Sequence, residues 1–156
     1  MPNLVAIFVP LLEYPQEDLI RRTHELADFI KQAATKYNLN QQNVFAVGYS
    51  NGANIAGSLL LLRPEILSGA VLLRAMVPLV PEKLPDLEGI PVLLASSRYD
   101  PIIPAEEAHE LATMLRKAGA DVSASWDDGG HRLTRETIDV ARRWLQMVSL
   151  TKDAKI

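Results

Sequence analysis

The sequence predicts an α/β protein, a three-layer sandwich in which a mostly parallel sheet of about five strands carries helices on both faces. Two observations predict it. Short apolar runs alternate with longer segments whose apolar residues recur at helical spacing. One of these runs leads through a single sharp turn directly into an apolar helix, as strands do in parallel sheets. The 156 residues are enough for one domain, and 1–156 is treated as a single unit.

The first half of the chain opens with an apolar strand over Leu4–Val9. A helix follows over Pro15–Tyr37, with Glu17 and Asp18 in its first turn, where the helix dipole favours acidic residues. Its apolar stripe at 3.6-residue spacing is Leu19, Thr23, Leu26, Ile30, Ala33 and Tyr37.

The second half of the chain continues the alternation of strands and helices. Pro78, Pro81 and Pro85 mark one long loop without helical periodicity. In order, the predicted elements are a strand over Val44–Val47, a buried helix over Ala53–Leu62, a strand over Ala70–Leu73, a strand from Val92, a helix over Glu106–Lys117, a strand over Val122–Trp126 and a helix over Thr134–Val148.

The segment Gly48–Gly52 has the pattern G-x-S-x-G and lies between a strand and a helix. In that position the pattern predicts a nucleophile elbow, a sharp turn with Ser50 at its apex. The turn forces the serine into a sparsely populated backbone conformation, and the flanking glycines let strand and helix approach closely. A chance match is the alternative, and the placement between strand and helix argues against it.

A serine nucleophile needs a base within hydrogen-bond reach and a third group that orients the base. Where the nucleophile stands on such an elbow, the chain order is serine, acid, histidine. Of the three histidines, His24 and His109 lie in helical patterns. His131 lies in a loop between the last strand and the last helix, so we predict that it is the base.

The acid is predicted to be Asp100, which closes the strand that starts at Val92 and precedes Pro101. The carboxyl end of a buried parallel strand is where an orienting carboxylate is expected. A cap for the following turn is the alternative role. The fallback acids are Asp121, Asp127 and Asp128.

Four segments together resemble the small carboxylesterase group of the α/β-hydrolases. They are Gly48–Asn54, Met76–Pro78, Asp100–Pro101 and Gly129–Thr134. That group includes predicted esterases and phospholipase/carboxylesterase-type enzymes, and it is similar to dienelactone hydrolases. Dienelactone hydrolases use a cysteine in the elbow, and this chain contains none.

The resemblance runs from about Glu13 to Leu145. It implies a reduced α/β-hydrolase fold and the same triad of Ser50, Asp100 and His131. It also implies hydrolysis of carboxylic esters with small or medium acyl groups, without metal or cofactor.

The oxyanion hole is expected to use the backbone N–H of Asn51, the residue after the nucleophile. Family members carry an earlier strand that ends in His-Gly, and the loop after it donates a second N–H. No His-Gly occurs in this chain. If the strand Leu4–Val9 lies beside the elbow strand, Leu11 or Leu12 is the candidate second donor. A weak enzyme or a shortened gene product are the alternatives.

The substrate pocket is predicted to be apolar. The alternative role for the residues predicted to line this pocket is packing in the core or in a dimer contact. For Arg74, a structural ion pair is favoured over contact with an anionic group of a substrate. The predicted substrate-binding residues are Tyr49, Met76, Val77 and Leu79, with Val80, Leu11, Leu12 and Tyr14 as further wall candidates.

Composition restricts the partners. The net charge is −3, and the absence of a basic run argues against nucleic acid binding. No apolar stretch is long enough for a membrane span, and no secretory signal pattern is present, so we expect a cytoplasmic location. A small-molecule ester is the expected partner. A homodimer is possible, because a second subunit is another way to cover an exposed apolar edge of the elbow strand.

The predicted function is that of a serine carboxylesterase that hydrolyses short- to medium-chain esters through an acyl-enzyme. One alternative is a non-catalytic pseudoenzyme or small-molecule binder on the same fold. A thioesterase or acyltransferase that uses the same triad is the other.

Overall fold

The computed structural model describes residues 3–7 and 15–153. In these residues it contains five strands, four α-helices and a single 3-10 turn at Gln41–Asn43. In chain order the strands and α-helices are β1 (Asn3–Ile7), α1 (Gln16–Lys36), β2 (Val44–Tyr49), α2 (Asn51–Leu62), β3 (Gly69–Leu73), β4 (Pro91–Ser97), α3 (Ala105–Lys117), β5 (Asp121–Asp127) and α4 (Arg135–Asp153).

The five strands form one sheet in the order β1-β2-β3-β4-β5, and every neighbouring pair is parallel. Parallel neighbours require crossover connections. Helices α1, α2 and α3 supply three of them, and the Pro-rich segment 74–90 supplies the fourth without a helix.

Strand β1 pairs with β2 from Asn3 opposite Val44 to Ile7 opposite Gly48. The expectation that the first strand covers the elbow strand is therefore confirmed. Its described part ends at Ile7, and the rest of the expected strand lies outside the described residues. Because β2 is not an edge strand, the premise that suggested a homodimer is absent.

Alternate residues of the central strands point to opposite faces and divide the core in two. One face carries Ala46, Leu72 and Leu94 and is covered by α1, α2 and α3. The other face carries Phe45, Val71 and Leu93 and is covered by α4. Leu72 and Leu94 are fully buried, and each contributes roughly 1.5–3 kcal/mol through the apolar surface removed from water. This arrangement confirms the three-layer α/β fold.

The buried face of α1 differs slightly from the expected stripe. Thr23 and Ile30 are buried as expected, and Thr23 satisfies its hydroxyl by donating to the Leu19 carbonyl at 2.7 Å. Tyr37, however, is 65% exposed. The expectation was wrong there because the helix ends at Lys36, so Tyr37 no longer follows the helical spacing.

The carboxyl ends of all five strands meet at one edge of the sheet, because every strand runs in the same direction. At that edge Ser50 follows β2, Arg74 follows β3, Asp100 lies three residues beyond β4, and His131 lies four residues beyond β5. Such an edge is where sites form in open parallel sheets.

Candidate active site

Ser50 stands alone between β2 and α2 with φ 53° and ψ −120°, a conformation that a residue with a side chain rarely adopts. Such strain costs roughly 1–3 kcal/mol and is typical of functional turns. Its N–H donates to the Leu73 carbonyl at 2.8 Å. Strand and helix are so close that a Cβ on Gly48 would lie 2.2 Å from the carbonyl oxygen of Gly52. Only glycine fits at position 48.

The side chains of Ser50, His131 and Asp100 form a continuous hydrogen-bonded chain. His131 Nε2 lies 3.0 Å from Ser50 Oγ, and His131 Nδ1 lies 2.8 Å from Asp100 Oδ2. The side chains of His131 and Asp100 are only 11% and 2% exposed. A nucleophile, a base and an orienting acid need this connectivity.

Asp100 makes both of the interactions that its position suggested. Its Oδ2 faces His131, while its Oδ1 accepts the N–H groups of Ile102 at 2.8 Å and Ile103 at 3.0 Å. Burial raises the pKa of Asp100. The hydrogen bonds from the N–H groups of Ile103 and Ile102 and the contact with His131 lower it by a larger amount, so the pKa lies below its ordinary value. The side chain of Asp100 is therefore a carboxylate that can accept a hydrogen bond from His131 Nδ1.

The three fallback acids have other surroundings. Asp127 binds Arg74 and Thr137, and Asp128 binds Arg98 at 2.9 Å. Asp121 begins β5 and so stands at the opposite end of the sheet from His131.

The two other histidines lie on helices. His24 is exposed on α1. His109 is exposed on α3, where its ring stacks on Trp126 with 4.4 Å between the ring centroids.

Tyr49, which is predicted to bind substrate, contacts the histidine in the structure. Its hydroxyl donates to the backbone carbonyl of His131 at 3.1 Å, and the two ring centroids are 5.4 Å apart. The sequence offered no signal for this contact, because the two residues are 82 positions apart.

The segment after β3 is held by side chains from two helices. The N–H of Met76 donates to Asn54 Oδ1 at 3.1 Å, and the N–H of Val77 donates to Glu107 Oε2 at 3.1 Å. Met76 is 38% exposed, so its side chain has free surface for a substrate. Leu79 is 6% exposed within the core, so packing, the alternative considered for it, describes its surroundings better.

Of the three expected oxyanion donors, the structure describes one. Asn51 begins α2 immediately after Ser50, so its N–H adjoins the positive end of the helix dipole. Leu11 and Leu12 lie outside the described residues, as does Tyr14. A second donor therefore stays a prediction.

Arg74 forms the structural ion pair that its position favoured. Its side chain is 0% exposed, and Nη2 lies 2.8 Å from Asp127 Oδ2. The partner lies 53 residues further along the chain, where no local sequence pattern connects it to Arg74. The available signal was a single cation at the end of a fully apolar strand, since a buried charge requires a partner.

Two further observations concern the surface and metal binding. An open cavity of about 460 Å³ lies between the Pro-rich segment and α3, lined by Val80, Leu84, His109 and Met114 among others, and it does not include the Ser50 site. Within the described ranges, no cluster of His, Asp and Glu is arranged to hold a metal ion.

Comparison with known proteins adds to this geometry. The phospholipase/carboxylesterase family model matches residues 12–149 of the sequence. The chain belongs to the phospholipase/carboxylesterase family. The sheet and helices described above are thus a five-stranded version of the α/β-hydrolase fold.

Several proteins are similar to this phospholipase/carboxylesterase chain in sequence or in structure. The protein MhqD of Bacillus subtilis (strain 168) is 47% identical over 131 residues, which cover 84% of this chain and 66% of MhqD. The crystal structure of the Bacillus cereus carboxylesterase superposes with a TM-score of 0.84 at 42% identity, covering 90% of this chain and 67% of that one. The carboxylesterase from Mesorhizobium loti superposes with a TM-score of 0.77 at 33% identity, covering 86% of this chain and 64% of that one.

This family member thus spans about two thirds of the length of the relatives that it matches. None of the helices in its described part is long and apolar enough to cross a membrane.

Proposed function

We propose that this chain is a serine carboxylesterase in which Ser50 is the nucleophile, His131 the base and Asp100 the group that orients His131. The observation that supports it most directly is the hydrogen-bonded chain of the three side chains, with steps of 3.0 Å and 2.8 Å. Membership of the phospholipase/carboxylesterase family and the similarity to solved carboxylesterases give further support.

The proposed reaction proceeds in two stages. His131 Nε2 takes the proton of Ser50 Oγ as that oxygen attacks the ester carbonyl, and the same proton then passes to the departing alcohol. This leaves an acyl group on Ser50. His131 next takes a proton from water as the water oxygen attacks the acyl-enzyme carbonyl. It then returns this proton to Ser50 Oγ as the bond to the acyl group breaks, which releases the free acid and restores the Ser50 hydroxyl. The carboxylate of Asp100 stabilises the protonated imidazole in both stages.

We propose that the substrates carry short to medium acyl groups. Met76 and Val77 follow β3 at the same edge of the sheet as Ser50, and the exposed part of Met76 offers an apolar wall. The backbone N–H of Asn51 is the proposed oxyanion donor. No metal or cofactor is part of this proposal.

The test is turnover of p-nitrophenyl acetate and of a longer-chain homologue by wild type and by Ser50→Ala. We expect hydrolysis by the wild type and its loss in Ser50→Ala. The matched control is Ser58→Ala, a buried serine further along the same helix whose hydroxyl donates to the Asn54 carbonyl. A folded wild type without activity on either ester would contradict the proposal, and thioester turnover in its place would indicate the alternative acyl chemistry.

A cytoplasmic location and a homodimer also remain proposals. Light scattering on the purified chain would decide the oligomeric state. A monomer would contradict the homodimer, whose original reason, an exposed edge of β2, is removed by the pairing with β1.

A further inference from the structure

Arg74 is a buried cation whose hydrogen bonds converge on the loop that carries His131. Its Nε donates to the Gly130 carbonyl at 2.9 Å, and its Nη2 donates to the Arg132 carbonyl at 3.1 Å. These are the carbonyl groups on the two sides of His131. On its other side Nη1 donates to the Ala95 carbonyl of β4 at 3.3 Å. The guanidinium thus ties the loop to the sheet.

The guanidinium is itself fixed by a carboxylate. Nη2 lies 2.8 Å from both oxygens of Asp127, the last residue of β5. Asp127 also accepts the Thr137 hydroxyl at 2.6 Å and the Gly129 N–H at 2.9 Å. Burial raises the pKa of Asp127, but the bonds from Thr137, Arg74 and Gly129 outweigh it, so the net pKa is lowered and the ion pair is complete.

The result is a loop with little freedom around the histidine. Three consecutive carbonyls accept side-chain hydrogen bonds, those of Gly130 and Arg132 from Arg74 and that of His131 from Tyr49. The N–H of Gly130 donates to Ser97 Oγ at 3.0 Å. With its backbone held at these points, His131 keeps only its side-chain rotations to adjust the distance to Ser50.

We propose that Arg74 is a positioning residue for the reaction, because it holds the carbonyls on both sides of His131 and so keeps Nε2 within reach of the Ser50 hydroxyl. It acts through His131 and does not touch the substrate. The inference rests on the function proposed for Ser50 and His131. A planar, always-charged guanidinium suits this task because it donates in several fixed directions at once, whereas an ammonium group is a compact point charge on a flexible stem.

Stability alone is a poor reason for such an arrangement. A buried ion pair contributes little net stability, and an apolar pair of similar volume often does as well. Catalytic geometry is less forgiving, since a misplacement of about 1 Å can reduce a rate roughly 100-fold.

The test is Arg74→Lys, which keeps the positive charge and removes the planar guanidinium with its several fixed donor directions. We expect kcat to fall about 10- to 100-fold with little change in KM, because the acyl pocket does not involve this residue. Two controls are measured with it at a temperature where all variants are folded. Arg63→Lys changes an arginine at the far end of α2, about 18 Å of helix from Ser50. Leu115→Ala destabilises the core from α3 without touching the loop. Both should keep the kcat of the wild type.

A second readout does not depend on turnover. In protein labelled with ¹⁵N-histidine, the His131 Nδ1 proton that faces Asp100 should give a slowly exchanging signal, assigned with a His131→Gln variant. We expect this signal to weaken or exchange faster with water in Arg74→Lys and to persist in both controls. If the wild type hydrolyses no ester, the proposed function fails, while the imidazole signal still decides the role of Arg74.

A folded Arg74→Lys variant that keeps both the kcat and the His131 signal of the wild type overturns the inference. So does an equal loss of kcat in Leu115→Ala, which would assign the effect to general destabilisation. If Arg74→Lys does not fold, Asp127→Asn provides the same test. It keeps the side-chain shape while weakening the anchor of Arg74, and the same changes in kcat and in the imidazole signal are expected.

Discussion

Replacing Asp100 by Asn is the sharpest perturbation of the proposed triad, because it changes one atom in a side chain whose two oxygens have separate partners. Oδ1 accepts the N–H groups of Ile102 and Ile103 at 2.8 and 3.0 Å. The asparagine carbonyl can stay in that place, so the new NH2 group falls where Oδ2 stood, 2.8 Å from His131 Nδ1.

The new amide reverses the proton arrangement on the imidazole. An NH2 donor facing Nδ1 requires Nδ1 to be the acceptor, which leaves the ring proton on Nε2. Nε2 then points a proton at Ser50 Oγ and cannot take one from it. In other serine triads the same change lowers kcat about 10⁴-fold, which corresponds to about 5 kcal/mol of activation free energy. The fold should lose only about 1 kcal/mol, because the two turn bonds survive.

The assay is kcat for p-nitrophenyl acetate, with urea unfolding measured on the same preparations. Asp128→Asn is the matched control, since this aspartate lies in the same loop region as His131 and its side chain is 64% exposed in a pair with Arg98. Exposed pairs contribute little, so both activity and stability should stay close to wild type. A folded Asp100→Asn enzyme within about tenfold of wild type would refute the role given to Asp100.

Three further predictions follow from the same structure. Gly48→Ala should destabilise the fold by about 1–3 kcal/mol in urea unfolding, because its Cβ would lie 2.2 Å from the Gly52 carbonyl oxygen; unchanged stability would show that strand and helix can separate there. Esterase activity should fall as the solution is made acidic, because a histidine base must be neutral to accept a proton; a flat activity profile would contradict the assignment of His131. The pKa of Asp127 is lower in the folded protein than in the unfolded chain, so below about pH 4 the unfolded chain binds more protons at this position. The ionised Asp127 therefore stabilises the fold above that pH, and this stabilisation is lost as the pH falls through the pKa of the folded state. The free energy of unfolding in urea should accordingly depend less on pH in the acid range for Asp127→Asn than for wild type. Equal slopes of this free energy against pH in the two proteins would contradict the prediction.

Much of the fold could be predicted because its signals are local. The alternation of apolar runs with helical periodicity indicated all five strands and all four helices of the described residues, with bounds that differ by a few residues. The elbow is equally local, since a strand, one serine and a helix occupy consecutive positions. The general order of serine, acid and histidine, together with the positions of Asp100 at a strand end and His131 in a loop, favoured these two residues over the fallback acids. The structure brings both within hydrogen-bond distance.

The contacts that support the site could not be predicted in the same way. Tyr49 was predicted only as a substrate-binding residue, and its hydrogen bond to the His131 carbonyl had no signal in the sequence. Asp127 ranked only as a fallback acid, and it is the partner of Arg74. The spacing of apolar residues in a segment indicates which face of that segment is buried. It does not indicate which distant residue packs against that face.

The sequence by itself determined the fold class, the strained serine and the residue types of the site, because backbone preferences and apolar periodicity act over a few neighbouring positions. Only the tertiary structure decided which residues hold the histidine. Parallel strands bring their carboxyl ends to one edge of the sheet, so residues separated by 53 to 82 positions become neighbours. At this edge the three residues Arg74, Asp127 and Tyr49 contact their partners. Those partners are too far away in the sequence for a local pattern to indicate them.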